Sequence, residues 1–275
     1  MPANAPASAR LVVRGLGFAG FNDEAIELEG GHAHAISVNQ FGAVAFTPAN
    51  ATAIRVTGNS GGAFIGGYDD ESAVNLGSGS SSAGIYLDNA AGGSVVANNV
   101  IGFQPDGLGN GPNANGVYAF NSENNVIQYN YIGHNDSSGV ILSGGGSSNN
   151  RVQYNTIGMA YGGSPAGNGN AGVLVSFGAK DNTICAPVNA AWVGNLIVAS
   201  AGAGVWVSPS GGSGNSVLDT SSRATTASTS ILRRSDRVRT RRPIPPRGRT
   251  RCRTIRSSTA RRATSRMASR WSRAR

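Results

Sequence analysis

Asn125-Val126-Ile127-Gln128-Tyr129-Asn130-Tyr131-Ile132-Gly133 returns 25 residues later as Asn150-Arg151-Val152-Gln153-Tyr154-Asn155-Thr156-Ile157-Gly158. Two stretches that keep the same residue types at most positions are an internal repeat, and a repeat fixes architecture more firmly than any single motif. The second half of each copy, Asn-x-Ile-Gly, also occurs as Asn99-Val100-Ile101-Gly102, and Asn195-Leu196-Ile197 reads as a fourth copy. Between these copies lies a second element, glycine followed by apolar, variable and apolar residues. It appears as Gly84-Ile85-Tyr86-Leu87, Gly116-Val117-Tyr118-Ala119, Gly139-Val140-Ile141-Leu142, Gly172-Val173-Leu174-Val175 and Gly204-Val205-Trp206-Val207, spaced by 32, 23, 33 and 32 residues.

Each element is three to five residues of β-branched or aromatic character bounded by Gly, Asn and Ser, which suits short strands and is too short for an ordinary helix. A repeat with no helical stretch cannot alternate strand and helix. Its strands must stack on their equivalents in the next repeat, as parallel sheets wound into a solenoid. The predicted fold is therefore all-β, a right-handed parallel β-helix over residues 10–218, with an unstructured leader at 1–9 and a disordered tail at 219–275. Glu24-Ala25-Ile26-Glu27-Leu28, His34-Ala35-Ile36-Ser37-Val38 and Ala53-Ile54-Arg55-Val56 read as degenerate coils of the same solenoid.

Alternation within a strand sends every second residue inward. Ile85 and Leu87, Val140 and Leu142, Val173 and Val175, and Val205 and Val207 are expected to form aliphatic columns, with Ile101, Ile132, Ile157 and Ile197 forming another. Asn99, Asn130, Asn155 and Asn195 are expected in a turn between strands. Asparagine tolerates left-handed dihedrals there, and its amide can bond the asparagine one coil away, a structural ladder. Tyr86, Tyr118, Ile141, Leu174 and Trp206 point outward; aligned aromatic rings are suitable platforms for sugars, and Tyr86, Tyr118 and Trp206 are the candidate ligand-binding residues. Covering loops or an oligomer contact are the other uses of such a stripe.

Coil length varies most between Asn-x-Ile-Gly and the next glycine, as in Phe103 to Asn115, so loops leave one edge of the solenoid. The motifs Asn-x-Ile-Gly, Asp106-Gly107-Leu108-Gly109-Asn110-Gly111 and Gly-Val-x-x resemble bacterial right-handed parallel β-helix repeat proteins, the broad pectate-lyase-like group. The resemblance covers residues 83–218 well and the preceding coils less closely. It implies a secreted or surface protein with a structural or polysaccharide-contacting role. Its alternative is a carbohydrate-active enzyme, a lyase or glycosidase, with acids drawn from Asp69, Asp70, Glu71, Asp106 and Asp136. Asp69-Asp70-Glu71 is also where Ca²⁺ would bind if a cofactor were used. The motifs of polygalacturonases do not transfer, because Gly31-His32-Ala33-His34 precedes Asp69-Asp70 and no Arg-Ile-Lys follows. Pectate lyases lean on Lys and Arg, of which the body has five.

The two histidines of Gly31-His32-Ala33-His34 lie on one side of an extended segment, a spacing open to a metal, an acid/base pair or a polar turn, but no third ligand is nearby. His134-Asn135-Asp136 and Lys180-Asp181 read as surface turns. Cys185 and Cys252 give no disulfide framework and no metal spacing.

Charge divides the chain. Before Thr220 there are five basic residues and thirteen acids, a net of −8; from Thr220 onward there are eighteen Arg, no Lys and one acid, a net of +17. Such a tail reads either as an arm that contacts nucleic acid or as out-of-frame translation of GC-rich coding sequence. Two observations favour the second. Codons for residues 250–257 can be chosen so that the frame one base earlier spells Asn-Ala-Leu-Gln-Asn-Tyr-Pro-Val, a string resembling a segment that follows the coils in the group named above. Residues 223–230 can be recoded in that frame to Gly-Asn-Asp-Gly-Ile-Asp-Leu. The chain is thus expected to be a fragment of a longer extracellular parent. Its opening, Met1-Pro2-Ala3-Asn4-Ala5-Pro6, lacks the basic and apolar regions of an export signal, and no stretch approaches the ~18 apolar residues of a membrane span.

Overall fold

The structure is a computed structural model that describes residues 1–42, 50–67, 74–104, 109–184 and 194–218, together with the backbone of 221–223. Its strands form three sheets in which every pairing is parallel. The first sheet runs from Val12–Arg14 through Val95–Ala97, Val126–Gln128 and Arg151–Gln153 to Ser216–Val217. The second runs from Gly17–Phe18 through Val100–Ile101, Tyr131–Ile132 and Thr156–Ile157 to Ser221–Arg223. The third runs from Glu24–Leu28 through Thr52–Thr57, Ala83–Asp88, Asn115–Phe120, Val140–Ser143 and Val173–Ser176 to Val205–Val207. The chain visits the sheets in rotation, one strand in each per coil, which makes a parallel β-helix. Crossovers between parallel strands of one sheet are right-handed in nearly all proteins, and this is the hand expected of these coils.

The repeats describe one packing contact. A Cβ placed on Gly84 would lie 2.8 Å from Ile101 Cγ2; the same clash awaits Gly116 at Ile132 (2.7 Å), Gly139 at Ile157 (2.9 Å) and Gly172 at Ile197. The glycine that opens each third-sheet strand is the space into which the isoleucine of Asn-x-Ile-Gly packs, within the same coil. Interiors are close-packed, so a small residue at one position and a large one opposite must recur together along a stack of equivalent coils.

The expected aliphatic columns are present. Ile85, Leu87, Val140, Leu142, Val173 and Val175 are buried, as are Ile101, Ile132, Ile157 and Ile197, all in one continuous core. Val207 departs from the expectation. It is 36% exposed, because Val205–Val207 is the last strand of the third sheet among the described residues and nothing covers its outer side. Outward-pointing Ile141 also differs, being only 8% exposed.

Asn99, Asn130, Asn155 and Asn195 form the expected ladder, each Nδ2 donating to the next Oδ1 at 2.9, 2.9 and 3.0 Å. The ladder continues upstream through Asn75 and Asn39. One detail is corrected: the left-handed residue is the one before the asparagine, at Asn39, Asn99, Asn130 and Asn155. Val38, Asn98, Tyr129 and Tyr154 have φ of 59°, 53°, 56° and 57°. That reversal turns the following asparagine inward, where Asn130 Nδ2 reaches Gln128 O and Val96 O at 2.9 Å and so ties the ends of two adjacent strands together. Two further ladders were not foreseen. Asn125, Asn150, Asn182 and Asn215 form one at the entrance to the first sheet, and Asn113, Asn135 and Asn168 form another between the second and third sheets.

The ends also differ from expectation. Residues 1–9, expected to be an unstructured leader, lie across the first coil: the Met1 ammonium donates to Glu27 O at 2.9 Å, and Glu29 N–H donates to Met1 O at 2.9 Å. Downstream, the backbone of Ser221–Arg223 adds a strand beyond the expected boundary at 218, paired with Leu196–Val198. Residues 219–220 and 224–275 lie outside the described residues.

Candidate functional site

The outward column of the third sheet follows from register alone. Glu27, Arg55, Tyr86, Tyr118, Ile141, Leu174 and Trp206 are successive Cα partners on adjacent coils. Along this line the chemistry changes from charged to aromatic to aliphatic, and ends on tryptophan.

At the charged end, Arg55 gathers acids from the coils on either side of its own. Its Nη1 donates to Glu24 Oε1 and Glu27 Oε1, each at 3.2 Å, and its Nη2 donates to Asp88 Oδ2 at 2.6 Å. The guanidinium is held charged above its ordinary value, chiefly by the hydrogen bond to Asp88. Burial raises the Glu24 carboxyl above the usual carboxylate range, helped by a hydrogen bond with Asp23. Asn89 Nδ2 donates to the other Asp88 oxygen at 2.7 Å, so both oxygens of that carboxylate are engaged.

The Arg55 guanidinium lies 5.9 Å from the Tyr86 ring centre. Tyr86 and Tyr118 stack at 5.0 Å with 16° between planes, and Phe120 meets Tyr118 edge-on at 6.3 Å. Burial, followed by the Asp88 charge, pushes the Tyr86 phenol up to about 12, so it is a hydrogen-bond donor at any physiological pH. Stacked rings cover one another's faces. What this pair offers is ring edges and hydroxyl groups beside a fixed guanidinium. That differs from the open ring faces expected of the column.

The structure thus brings Tyr86 and Tyr118 together and leaves Trp206 apart. Three rungs separate Trp206 from Tyr118, about 14 Å at the usual strand spacing. Trp206 is 43% exposed and lies on Val205–Val207, the last third-sheet strand among the described residues.

The acidic candidates fare differently. Asp69, Asp70, Glu71 and Asp106 lie outside the described residues, as do Cys185 and Cys252. Asp136 is exposed, beside the buried ladder residue Asn135. His32 is exposed. His34 is fully buried, its Nδ1 accepting from Leu11 N–H at 3.0 Å and its Nε2 donating to Gly30 O at 3.0 Å, so it braces the first coils. Burial lowers its pKa from the ordinary value. Among the described residues no group of three His, Cys, Asp or Glu could hold a metal ion, and no helix is long and apolar enough to cross a membrane.

Sequence reasoning missed Arg55 and its three acids. Their signal was present only as separations close to one coil, in a region where the repeat is degenerate. The chain matches no family model, no curated protein and no solved structure.

Proposed function

We propose that this chain is part of a secreted or surface β-helix protein of the pectate-lyase-like kind, and that it contacts polysaccharide along the outward column of the third sheet. The observation that carries the reading is the Tyr86–Tyr118 stack set between Arg55 and Phe120. Sugars are bound by apolar ring surface together with a few fixed polar groups. Here the phenol hydroxyls and a guanidinium immobilised by three carboxylates supply the polar groups without any ordering on binding.

Affinity electrophoresis through gels containing soluble neutral and acidic polysaccharides tests this. Retardation by at least one polymer is expected, reduced in Tyr118→Ala and in Arg55→Gln, with unchanged circular dichroism as the control for folding. Equal retardation of wild type and both variants would exclude the column as the contact surface.

One observation favours a hydrolytic reading on the same face. Glu24, whose side chain is 9% exposed and whose proton is held more tightly by burial, shares an Arg55 nitrogen with Glu27. Two neighbouring carboxyls whose environments differ are the requirement for acid and base roles in glycoside cleavage. Release of reducing ends from a retained polymer, abolished in Glu24→Gln, is the expected result; no release from any retained polymer removes the reading.

A further inference from the structure

The corner between the first and second sheets carries a second aromatic pair. Tyr129 and Tyr154, one coil apart, stack at 5.0 Å with 3° between planes. Both have positive φ, 56° and 57°, at the place where the preceding coil has Asn98 and the neighbouring ladder has Asn124 and Asn149. Left-handed backbone suits asparagine and glycine and is strained for a bulky side chain. Val38 and Tyr154 are half-buried at this place, so packing offsets their strain; Tyr129 is 47% exposed and packs only one face, on Tyr154. A strained, exposed ring at Tyr129, where asparagine would serve the fold better, points to use of the ring itself.

Beside the rings, Gln153 Nε2 donates to Gln128 Oε1 at 2.9 Å. This pairing fixes both amides and leaves Gln128 Nε2 as a donor and Gln153 Oε1 as an acceptor. Tyr154 backs one face of Tyr129, while the shorter Asn98 stands on the other side, its amide turned to Gly67 O at 2.9 Å. Among the described residues, the shorter Asn98 covers less of that ring face than a tyrosine would, and Tyr129 is 47% exposed. Arg151, two residues before Gln153 on the same outward side, is the nearest charge along that strand and is exposed.

We infer that Tyr129, backed by Tyr154 and flanked by Gln128 and Gln153, is a second sugar-binding platform that takes a neutral hexose ring of a polysaccharide. An aromatic face receives the apolar face of the ring, and the paired amides match hydroxyls that both donate and accept. The ligand class rests on the polysaccharide reading above, but the platform shares no residue with the third-sheet column.

The test compares wild type with Tyr129→Asn and Tyr118→Ala in affinity electrophoresis against a soluble β-glucan, a galactomannan and a polygalacturonate. Tyr129→Asn installs the residue of the preceding coil, so the melting temperature should stay level or rise, while retardation by a neutral polymer falls about tenfold. A merely structural Tyr129 would give the opposite pattern, a lower melting temperature with retardation intact, and would overturn the inference. So would retardation by polygalacturonate alone. If Tyr118→Ala abolishes retardation and Tyr129→Asn does not, the platform falls and the column stands. The reverse result sustains the platform and removes the column, and no retardation by any of the three polymers removes both.

Discussion

Gly116 and Ile132 occupy the same space in turn: a Cβ on the glycine would sit 2.7 Å from the isoleucine Cγ2, closer than carbon atoms approach in folded proteins. The relationship links the two sequence motifs and recurs in four coils, but the coils are not equally tight. Ile101, opposite Gly84, borders a small cavity lined by Phe41, Ile54, Gly77 and Ile85, so it has room to move. Ile132 lies in a fully buried stretch of the core.

Gly116→Ala is therefore expected to destabilise the chain by about 1–3 kcal/mol, the usual cost of overpacking, and Gly84→Ala by clearly less. Urea denaturation of both variants provides the comparison. Equal losses would mean that neither the space beside Ile101 nor the closer approach of Gly116 to the carbonyl of the next coil decides the cost.

Gly77 is expected to behave in the opposite way. It stands in the inward column between Phe41 and Ile101, its φ is not left-handed, and a Cβ there would meet nothing within 4 Å. Gly77→Ala removes backbone entropy from the unfolded chain and buries a methyl in existing space, a gain of about 1 kcal/mol. A rise in the urea midpoint with an unchanged slope is the expected observation; a fall would show that the cavity is already filled by rearranged neighbours.

The ladders were partly legible. Four rungs of one ladder could be named because Asn-x-Ile-Gly recurs with little change. The ladder through Asn125 and Asn150 was present in the same quoted stretches, but its later rungs, Asn182 and Asn215, stand among residues that keep little else of the motif. The ladder through Asn113, Asn135 and Asn168 lies next to loops of unequal length, which erase its period. The Arg55 cluster was illegible for a related reason: it spans three coils, and only the register shows that residues 24, 27, 55 and 88 share a face. The Tyr129–Tyr154 stack needed that register and the backbone dihedrals as well.

Ladder rungs should differ in cost by position. Asn130 is fully buried; its Oδ1 accepts from the N–H and the amide of Asn99, and its Nδ2 reaches Val96 O, Gln128 O and Asn155. Asn130→Ala strands several of these groups at once and should cost about 3 kcal/mol or more, since each unsatisfied buried group costs about 1–3 kcal/mol. Asn39, near the first coil, serves fewer partners, so Asn39→Ala should cost less. Equal losses would argue that cost follows burial alone and that the ladder is not cooperative.

His34 gives the fold a pH dependence whose sign can be worked out. Its pKa in the folded chain is lowered by burial first, then by the positive charges of the N-terminus, His32 and Arg10, whereas an unfolded histidine titrates near 6.5. As pH falls through 6.5 the unfolded chain takes up a proton that folded His34 refuses, so stability is complete above that value and is lost progressively below it. His134, also lowered by burial, adds to the same slope. Because His34 joins Leu11 to Gly30, the loss should appear first in the opening coils, as faster amide exchange around residues 11–36 at pH 5.5 than expected from intrinsic rates. His34→Gln should be less stable at pH 7.5 yet show a flatter decline between pH 7.5 and 5.5, keeping only the contribution of His134. A wild-type stability that stays level over that range would mean that the folded chain protonates His34 as readily as the unfolded one, and that the two hydrogen bonds to Leu11 and Gly30 do not hold the ring neutral.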